Sequence, residues 1–347
     1  MTVDDPRATA CRTSCSGRRQ DVARRLTRAA LVVALTLAFA GAAYGAAPAP
    51  ALIPSSAETT PVASRGDAAD DPTIWVNPFD PAASRIIAND KKGALNMYGL
   101  DGTLVTSIYT GTFWGNSDVR GNLLAVARAG IKLFVVSESG LEQVGSITTS
   151  GEGLCLYESP PDLYAFVVTR PGVVKQFKLD ASRTGGTLVR SFSLGSEAEG
   201  CAVDDQAQAL YVSQEDVALW RYGANPSDGT NRVAIDKVVP EGRITPDAEG
   251  VAVTGNRVLI SSQSTSAGWK SYFTGYTRGT NEYVGAFRIG NGANSDDCDG
   301  TDGIAAYQGY LGTSYPFGLF VCQDGNNTSP GTAGNQDFKL VPWEALP

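Results

Sequence analysis

No histidine occurs among the 347 residues. A Ser-His-Asp triad, a histidine phosphoenzyme and a histidine-ligated zinc or non-haem iron centre are thereby excluded. No Cys-x-x-Cys spacing occurs, which argues against zinc. No Walker loop or glycine-rich nucleotide motif is present, so no nucleotide is specifically implied. Past residue 45 no stretch carries helical periodicity, and the longest apolar run, Ala29 to Ala40, is too short to span a bilayer comfortably. Chemistry is left to carboxylates, cations, hydroxyls or a metal.

The apolar run follows Arg18, Arg19, Arg24, Arg25 and Arg28 and precedes Ala43-Tyr44-Gly45, small residues of the kind a signal peptidase reads. Residues 1–45 are therefore expected to be a removable export signal, with Sec and twin-arginine routes both open. Removal takes seven arginines and three aspartates, leaving 21 basic against 33 acidic residues and a net charge of −12. A chain so acidic is a poor partner for nucleic acid, and without the signal it has no expected membrane contact. Four cysteines then remain, an even count that suggests disulfides in an exported protein. Cys155 and Cys201 occupy nearly equivalent places in neighbouring repeats and Cys298 and Cys322 share the last repeat, so those two pairs are expected. Residues 46–66, rich in Ala, Pro, Ser and Thr, read as a flexible leader. Residues 67–347 read as one domain.

Within that domain an acidic residue followed by a small or apolar one opens a short β-like run six times: Asp71-Pro72, Asp118-Val119, Glu152-Gly153, Glu199-Gly200, Glu249-Gly250 and Asp302-Gly303. Successive gaps of 47, 34, 47, 50 and 53 residues approximate one four-stranded propeller blade. Each acid is followed by an apolar strand with a polar end, in order Lys91, Arg128, Arg170, Glu215, Gln263 and Asp324. The regularity favours an all-β fold, a single six-bladed propeller of four-stranded antiparallel blades, over a β-sandwich or two β domains. The innermost strands would then aim the six acids at the axis, with one half of the mouth basic and the other acidic. Asp101-Gly102 and Asp228-Gly229 are turn signals between strands. The tyrosine-rich segment from Phe273 to Arg288 reads as a surface hairpin.

So many carboxylates around one opening repel one another unless cations neutralise them, and a hard cation such as calcium prefers oxygen ligands. Coincidence with the repeat phase singles out Glu199, Glu249 and Asp302 as ligands. Lys91, Arg128 and Arg170, at one phase of consecutive repeats, form an expected anion clamp. Metal held by acids beside such a clamp suits displacement at phosphate without a protein nucleophile.

The segments Gly66-Asp-Ala-Ala-Asp-Asp-Pro-Thr-Ile-Trp75, Asp90-Lys-Lys92, Glu199-Gly-Cys-Ala-Val-Asp-Asp205, Glu215-Asp-Val-Ala-Leu-Trp220 and Thr245-Pro-Asp-Ala-Glu-Gly250 are informative together. With Thr301-Asp-Gly303, Tyr315-Pro-Phe-Gly-Leu-Phe320, Gln323-Asp-Gly325 and Asn335-Gln-Asp-Phe-Lys-Leu-Val-Pro-Trp-Glu344 they span the mature domain in order. On these residues the chain resembles the β-propeller phytases, exported calcium-dependent enzymes that hydrolyse phosphomonoesters of inositol hexakisphosphate (phytate). The resemblance implies that Glu199, Glu215, Asp247, Glu249 and Asp302 bind active-site calcium. It implies that Asp71, Asp296, Asp324 and Asn327 belong to calcium sites that stabilise the fold. Lys91, Lys92 and Arg128 would contact substrate phosphate. A secreted monomer with several calcium ions, acting on phytate by attack of metal-activated water, is the resulting expectation.

The chain departs from that family at two places. Glu152 stands where a channel tyrosine is usual, adding an acid near the expected metals, and Arg170-Pro171 stands where a Lys-Glu pair is usual. Arg170 keeps the cation. Two other functions fit a propeller with a central metal. A calcium-dependent lactonase or esterase would have no use for three phosphate-binding cations, and a non-catalytic module would bind an anionic ligand with calcium purely structural.

Overall fold

The computed structural model describes residues 49–109, 111, 114–128, 130–263 and 270–347. The expected export signal lies outside the described residues. Six sheets of antiparallel neighbours follow in chain order. Blade 1 comprises Ala69–Trp75, Arg85–Asp90, Ala94–Tyr98 and Leu104–Tyr109; blade 2 comprises Trp114–Arg120, Leu123–Arg128, Ile131–Ser137 and Gly140–Ile147. Blade 3 is Gly153–Ser159, Asp162–Val168, Val173–Leu179 and Gly186–Ser193, and blade 4 is Cys201–Asp204, Ala209–Gln214, Ala218–Gly223 and Arg232–Lys237. Blade 5 is Ala248–Thr254, Arg257–Ser262, Tyr272–Thr277 and Tyr283–Gly290; blade 6 begins with Ile304–Gln308, Gly318–Asp324 and Asp337–Pro342. The first strand of each blade neighbours the first strands of the adjacent blades, and blade 6 meets blade 1, closing a ring. The fold is the six-bladed propeller that the spacing predicts.

The fourth strand of blade 6 comes from the other end of the chain. Ala57–Glu58 pairs antiparallel with Asp337–Pro342, and Ala51–Pro54 adds a parallel fifth strand to blade 5. The leader expected over residues 46–66 is thus corrected in part. Its Ala, Pro and Ser content masks two short strands whose partners lie more than 230 residues away, a pairing that local composition does not report.

Burial follows the layering. Second strands, covered on both faces by neighbouring blades, read as near-continuous apolar runs such as Leu163 to Val168, all buried. Outer strands alternate, as in Leu104–Tyr109. The apolar side chains form six clusters at the blade interfaces; Trp75, Ile87 and Met97 of blade 1, for example, pack with Trp114, Val126 and Phe134 of blade 2. The segment read as a surface hairpin is the outer hairpin of blade 5, but Phe273, Tyr276 and Phe287 point into the cores and are buried. Gly102 and Gly229 take the positive φ that their turns require. Disulfides join Cys155 to Cys201, across blades 3 and 4, and Cys298 to Cys322 within the last repeat, as expected.

The acid-glycine repeat has a steric reason. A Cβ on Gly153 would sit 1.7 Å from the Glu199 carbonyl oxygen, one on Gly200 2.2 Å from that of Glu249, and one on Gly250 2.9 Å from that of Asp302. A Cβ on Gly303 would meet Asp70 O at 2.9 Å. Each glycine lets the backbone of the next blade's acid close onto it. The glycine amides of 250 and 303 donate to Asp302 O and Asp70 O at 3.0 and 3.3 Å. Gly153→Ala is expected to cost about 3 kcal/mol, the upper range for overpacking a rigid site, read as a lowered thermal midpoint. An unchanged midpoint would show that the ring spacing is soft.

Candidate functional site

At the start of the inner strands the ring opens into a cavity of about 660 Å³ whose lining includes Asp67, Asp70, Lys91, Glu152, Arg170, Glu199, Glu249, Gln263 and Asp302. Two devices place these groups. The acids stand at or just before the first strand of each blade, and Lys91, Arg170 and Gln263 stand just past the ends of second strands, so both arrays converge on one face. Register shifts between Ala69 and Pro72 and between Ala248 and Val251 then bulge the inner strands of blades 1 and 5. Bulges re-aim side chains at sheet ends. Here they contain Asp70-Asp71 and Glu249-Gly250.

The bulges correct the phase of the acidic array. Ala69-Asp70-Asp71-Pro72 corresponds to Ala248-Glu249-Gly250-Val251, so Asp70 is the mouth acid of blade 1. Asp71 takes the glycine position. It lines a separate axial cavity of about 330 Å³ with Asn116, Ser117 and Asp118. Asp71 accepts from Ser117 N at 2.9 Å, yet burial, followed by the charges of Asp70, Asp118 and Glu199, raises its pKa well above the usual range. Asp118 also faces this cavity, paired with Arg120 at 3.0 Å. In blade 2 the mouth position falls at Gly115, so five blades supply mouth acids rather than six.

Both cations of the described mouth lining are ion-paired. Lys91 Nζ lies 2.6 Å from Asp302, 2.9 Å from Asp67 and 3.7 Å from Asp70. Burial opposes its charge, but Asp70 and Asp302 outweigh that and raise the ammonium pKa. Asp302 also accepts from Gln263 Nε2, and its amide donates to Gln323 Oε1 at 2.8 Å. Arg170 is paired with Glu197. Lys92 is exposed and donates to the Arg65 carbonyl, apart from the mouth lining. Arg128 ends the second strand of blade 2 opposite Trp114; its side chain lies outside the described residues.

Three acids of the mouth converge. Carboxylate oxygens of Glu199, Glu215 and Glu249 lie within 4.8 Å of one another. Burial is the main cause that raises Glu199 and Glu249 well above the carboxylate range, and Asp70 and Asp302 act on Glu199 while Glu199 and Asp302 act on Glu249. Glu215 is pushed up to about 7 by burial, then by Glu197 and Asp247. Asp247 is raised by burial, then by Asp216 and Glu197. Glu215 Oε1 is buried and has no hydrogen-bond partner among the described residues. Three converging carboxylates, one with an orphaned oxygen, and no nitrogen or sulfur donor among them, fit a hard cation.

Asp296 and Asp324 meet outside the mouth lining, against the second to fourth strands of blade 6. They surround Lys339 with Glu58 and Asp337: the ammonium, fully buried, is 2.9 Å from Glu58, 2.9 Å from Asp337 and 3.2 Å from Asp324, and bonded to Asp296. One cation shared by four acids leaves their charge unbalanced. Asp296 stays below the usual range against the pull of burial, through Lys339 and Thr328, whereas burial pushes Asp324 up to about 6 and Asp337 to about 8 despite Lys339. Asn327 orders the adjoining loop, accepting from Ser329 N at 2.9 Å and donating to Asn335 O at 2.9 Å. The expected ligands Asp71, Asp296, Asp324 and Asn327 are therefore split between the axial cavity and this cluster.

Sequence reasoning missed Asp67, Glu197, Glu58, Asp337 and Lys339, and put Asp71 in the mouth array where Asp70 stands. The match of Ala69-Asp70 to Ala248-Glu249 was a usable signal for Asp70. For Lys339, the alternation Asp337-Phe338-Lys339-Leu340 places the lysine and Asp337 on one strand face, but nothing local marks that face as buried.

A family model described as Phytase matches residues 23–139 and 125–347. A curated 3-phytase of Bacillus subtilis (strain 168) is 33% identical over 353 residues, covering 92% of this chain and 91% of the relative. Among solved structures, a calcium-binding protein, regucalcin, from Agrobacterium tumefaciens matches with a TM-score of 0.56 at 9% identity, over 85% of this chain and 96% of that one. The last likeness supports the fold alone.

Proposed function

This chain belongs to the phytase family, and from that premise we propose that it is a secreted, calcium-dependent phosphoric monoester hydrolase acting on phytate. Hydrolysis of a phosphate ester is what family membership gives. Calcium, the individual site residues and export are the further reading. The observation that carries it is the convergence of Glu199, Glu215 and Glu249 within 4.8 Å beside a cavity edged by Lys91 and Arg170.

In this reading Glu199, Glu215 and Glu249, with Asp247 and Asp302 beside them, hold calcium; Glu152 adds a further acid at the rim. Bound calcium supplies Lewis acidity toward a phosphate oxygen and acidifies a nearby water. The protein does the rest by position. Lys91, oriented by Asp302 and Asp67, presents an ammonium to substrate phosphate, and Arg170 and Arg128 present forks that match phosphate oxygens. Lys92 contributes charge at the approach. With no histidine to carry a phosphoryl group, catalysis rests on charge placed in advance of the displacement. Asp71, Asp296, Asp324 and Asn327 serve the fold rather than the reaction. Two disulfides fit an oxidising compartment, which agrees with export after removal of residues 1–45. The domain extends as one propeller from residue 67, its ring completed by strands from 46–66, and works as a monomer.

The test is phosphate release from inositol hexakisphosphate by the purified mature protein, titrated with calcium and then with a chelator while circular dichroism follows the fold. Calcium-dependent release that a chelator abolishes before the fold is lost is the expected result. A folded protein that releases no phosphate at any calcium level would return the binding-module reading.

A further inference from the structure

Arg170 follows the second strand of blade 3 and Glu197 lies in the loop that leads to Glu199. Backbone bonds fix both: Ala198 N donates to Arg170 O at 3.3 Å, and Glu215 N donates to Glu197 O at 3.2 Å. The Arg170 Nε–H donates to the Glu197 carboxylate. Both side chains are open to solvent, 65% and 45% exposed, and Arg170 lines the mouth. Glu197, followed by the nearby charge of Glu152, holds the guanidinium firmly in its charged form. The bond to Glu197 uses donor capacity that a phosphate would otherwise take, because an arginine fork recognises carboxylate and phosphate by the same geometry.

We propose that Glu197 is a specificity-determining residue, an intramolecular competitor for the phosphate subsite at Arg170. The proposal rests on the reading that Arg170 meets substrate phosphate. An exposed pair of this kind is weak, so a phosphate displaces the carboxylate at modest cost. Glu197 thereby weakens every phosphate at that subsite, and a substrate with several phosphates, held also at Lys91, is retained where a single phosphate is not.

The experiment compares KM and kcat for inositol hexakisphosphate at saturating calcium in the wild type, Glu197→Gln, Arg170→Gln, the double variant and Asp216→Asn, an exposed rim acid used as a charge control. Arg170→Gln is expected to raise KM. Glu197→Gln is expected to lower KM about two- to fivefold, as the strength of an exposed ion pair implies, with kcat little changed. The same change made on Arg170→Gln is expected to do nothing. Inhibition by inorganic phosphate should strengthen in Glu197→Gln by a similar factor. An equal fall in KM in the double variant, or in Asp216→Asn, would mark a general charge effect and overturn the proposal. A higher calcium requirement with unchanged KM would make Glu197 a metal ligand and also overturn it. If Arg170→Gln leaves KM unchanged, the phosphate-contact reading of Arg170 fails and the proposal with it; if Arg170→Gln raises KM while Glu197→Gln does not lower it, only the role of Glu197 fails.

Discussion

Glu249→Gln, and separately Glu199→Gln, is expected to reduce phosphate release from inositol hexakisphosphate by about 10²–10³-fold, the loss that follows removal of one pre-placed electrostatic group. The accompanying stability change gives the result its meaning. Both carboxyls are raised far above the normal range by burial and by each other's neighbours, so their ionised forms strain the metal-free protein. A glutamine keeps the shape and removes the charge. In chelator the variants should therefore melt at or above the wild-type midpoint, while calcium should stabilise them less than it stabilises the wild type. Loss of activity with gain of apo stability separates a functional carboxylate from a structural one. Activity within tenfold of wild type would remove the trio from the reaction.

Lys339→Met is expected to have the largest effect on stability. Deleting one partner of a buried ion pair typically costs about 3–5 kcal/mol, and this ammonium faces four carboxylates, from Glu58, Asp296, Asp324 and Asp337. The loss should appear as a fall in the urea or thermal midpoint, larger at pH 8 than at pH 5. The sign follows from the raised carboxyls. Asp324, at about 6, and Asp337, at about 8, have folded values above the ordinary 3.8. Their stabilising contribution is complete below that ordinary value and is lost as pH rises through the folded values. Chelated wild-type protein should likewise weaken between about pH 4 and 8. A Lys339→Met protein with an unchanged midpoint at pH 8 would show that the four acids are balanced by another cation.

Blade number and the line of acids were legible because a propeller repeats its phase in the sequence. Glu199-Gly200 and Glu249-Gly250 show why: the acid serves the mouth and the glycine serves the neighbour's backbone, so one dipeptide records two constraints. The phase slipped at Asp70-Asp71, where a bulge exchanges which of two adjacent aspartates faces the mouth. Bulges shift a period-2 pattern by one residue, and no composition reports that. The cations of the mouth were legible as positions but their ion pairs were not, since Lys91 and its acids are separated by up to 211 residues. Lys339 and Glu58 were hidden for the same reason, lying 281 residues apart.

That separation bears on how the protein is made. Blade 6 takes its last strand from Ala57–Glu58, so a segment made before blade 1 finds its place only when the last blade is made. No nascent chain that ends before Leu340 can complete that pairing, and until then blade 6 lacks its outer strand. Closing so long a loop costs little more than closing a short one, because the entropy grows only with the logarithm of length. The delay therefore lies in synthesis and search, and the buried ammonium of Lys339 is the clasp that rewards their completion.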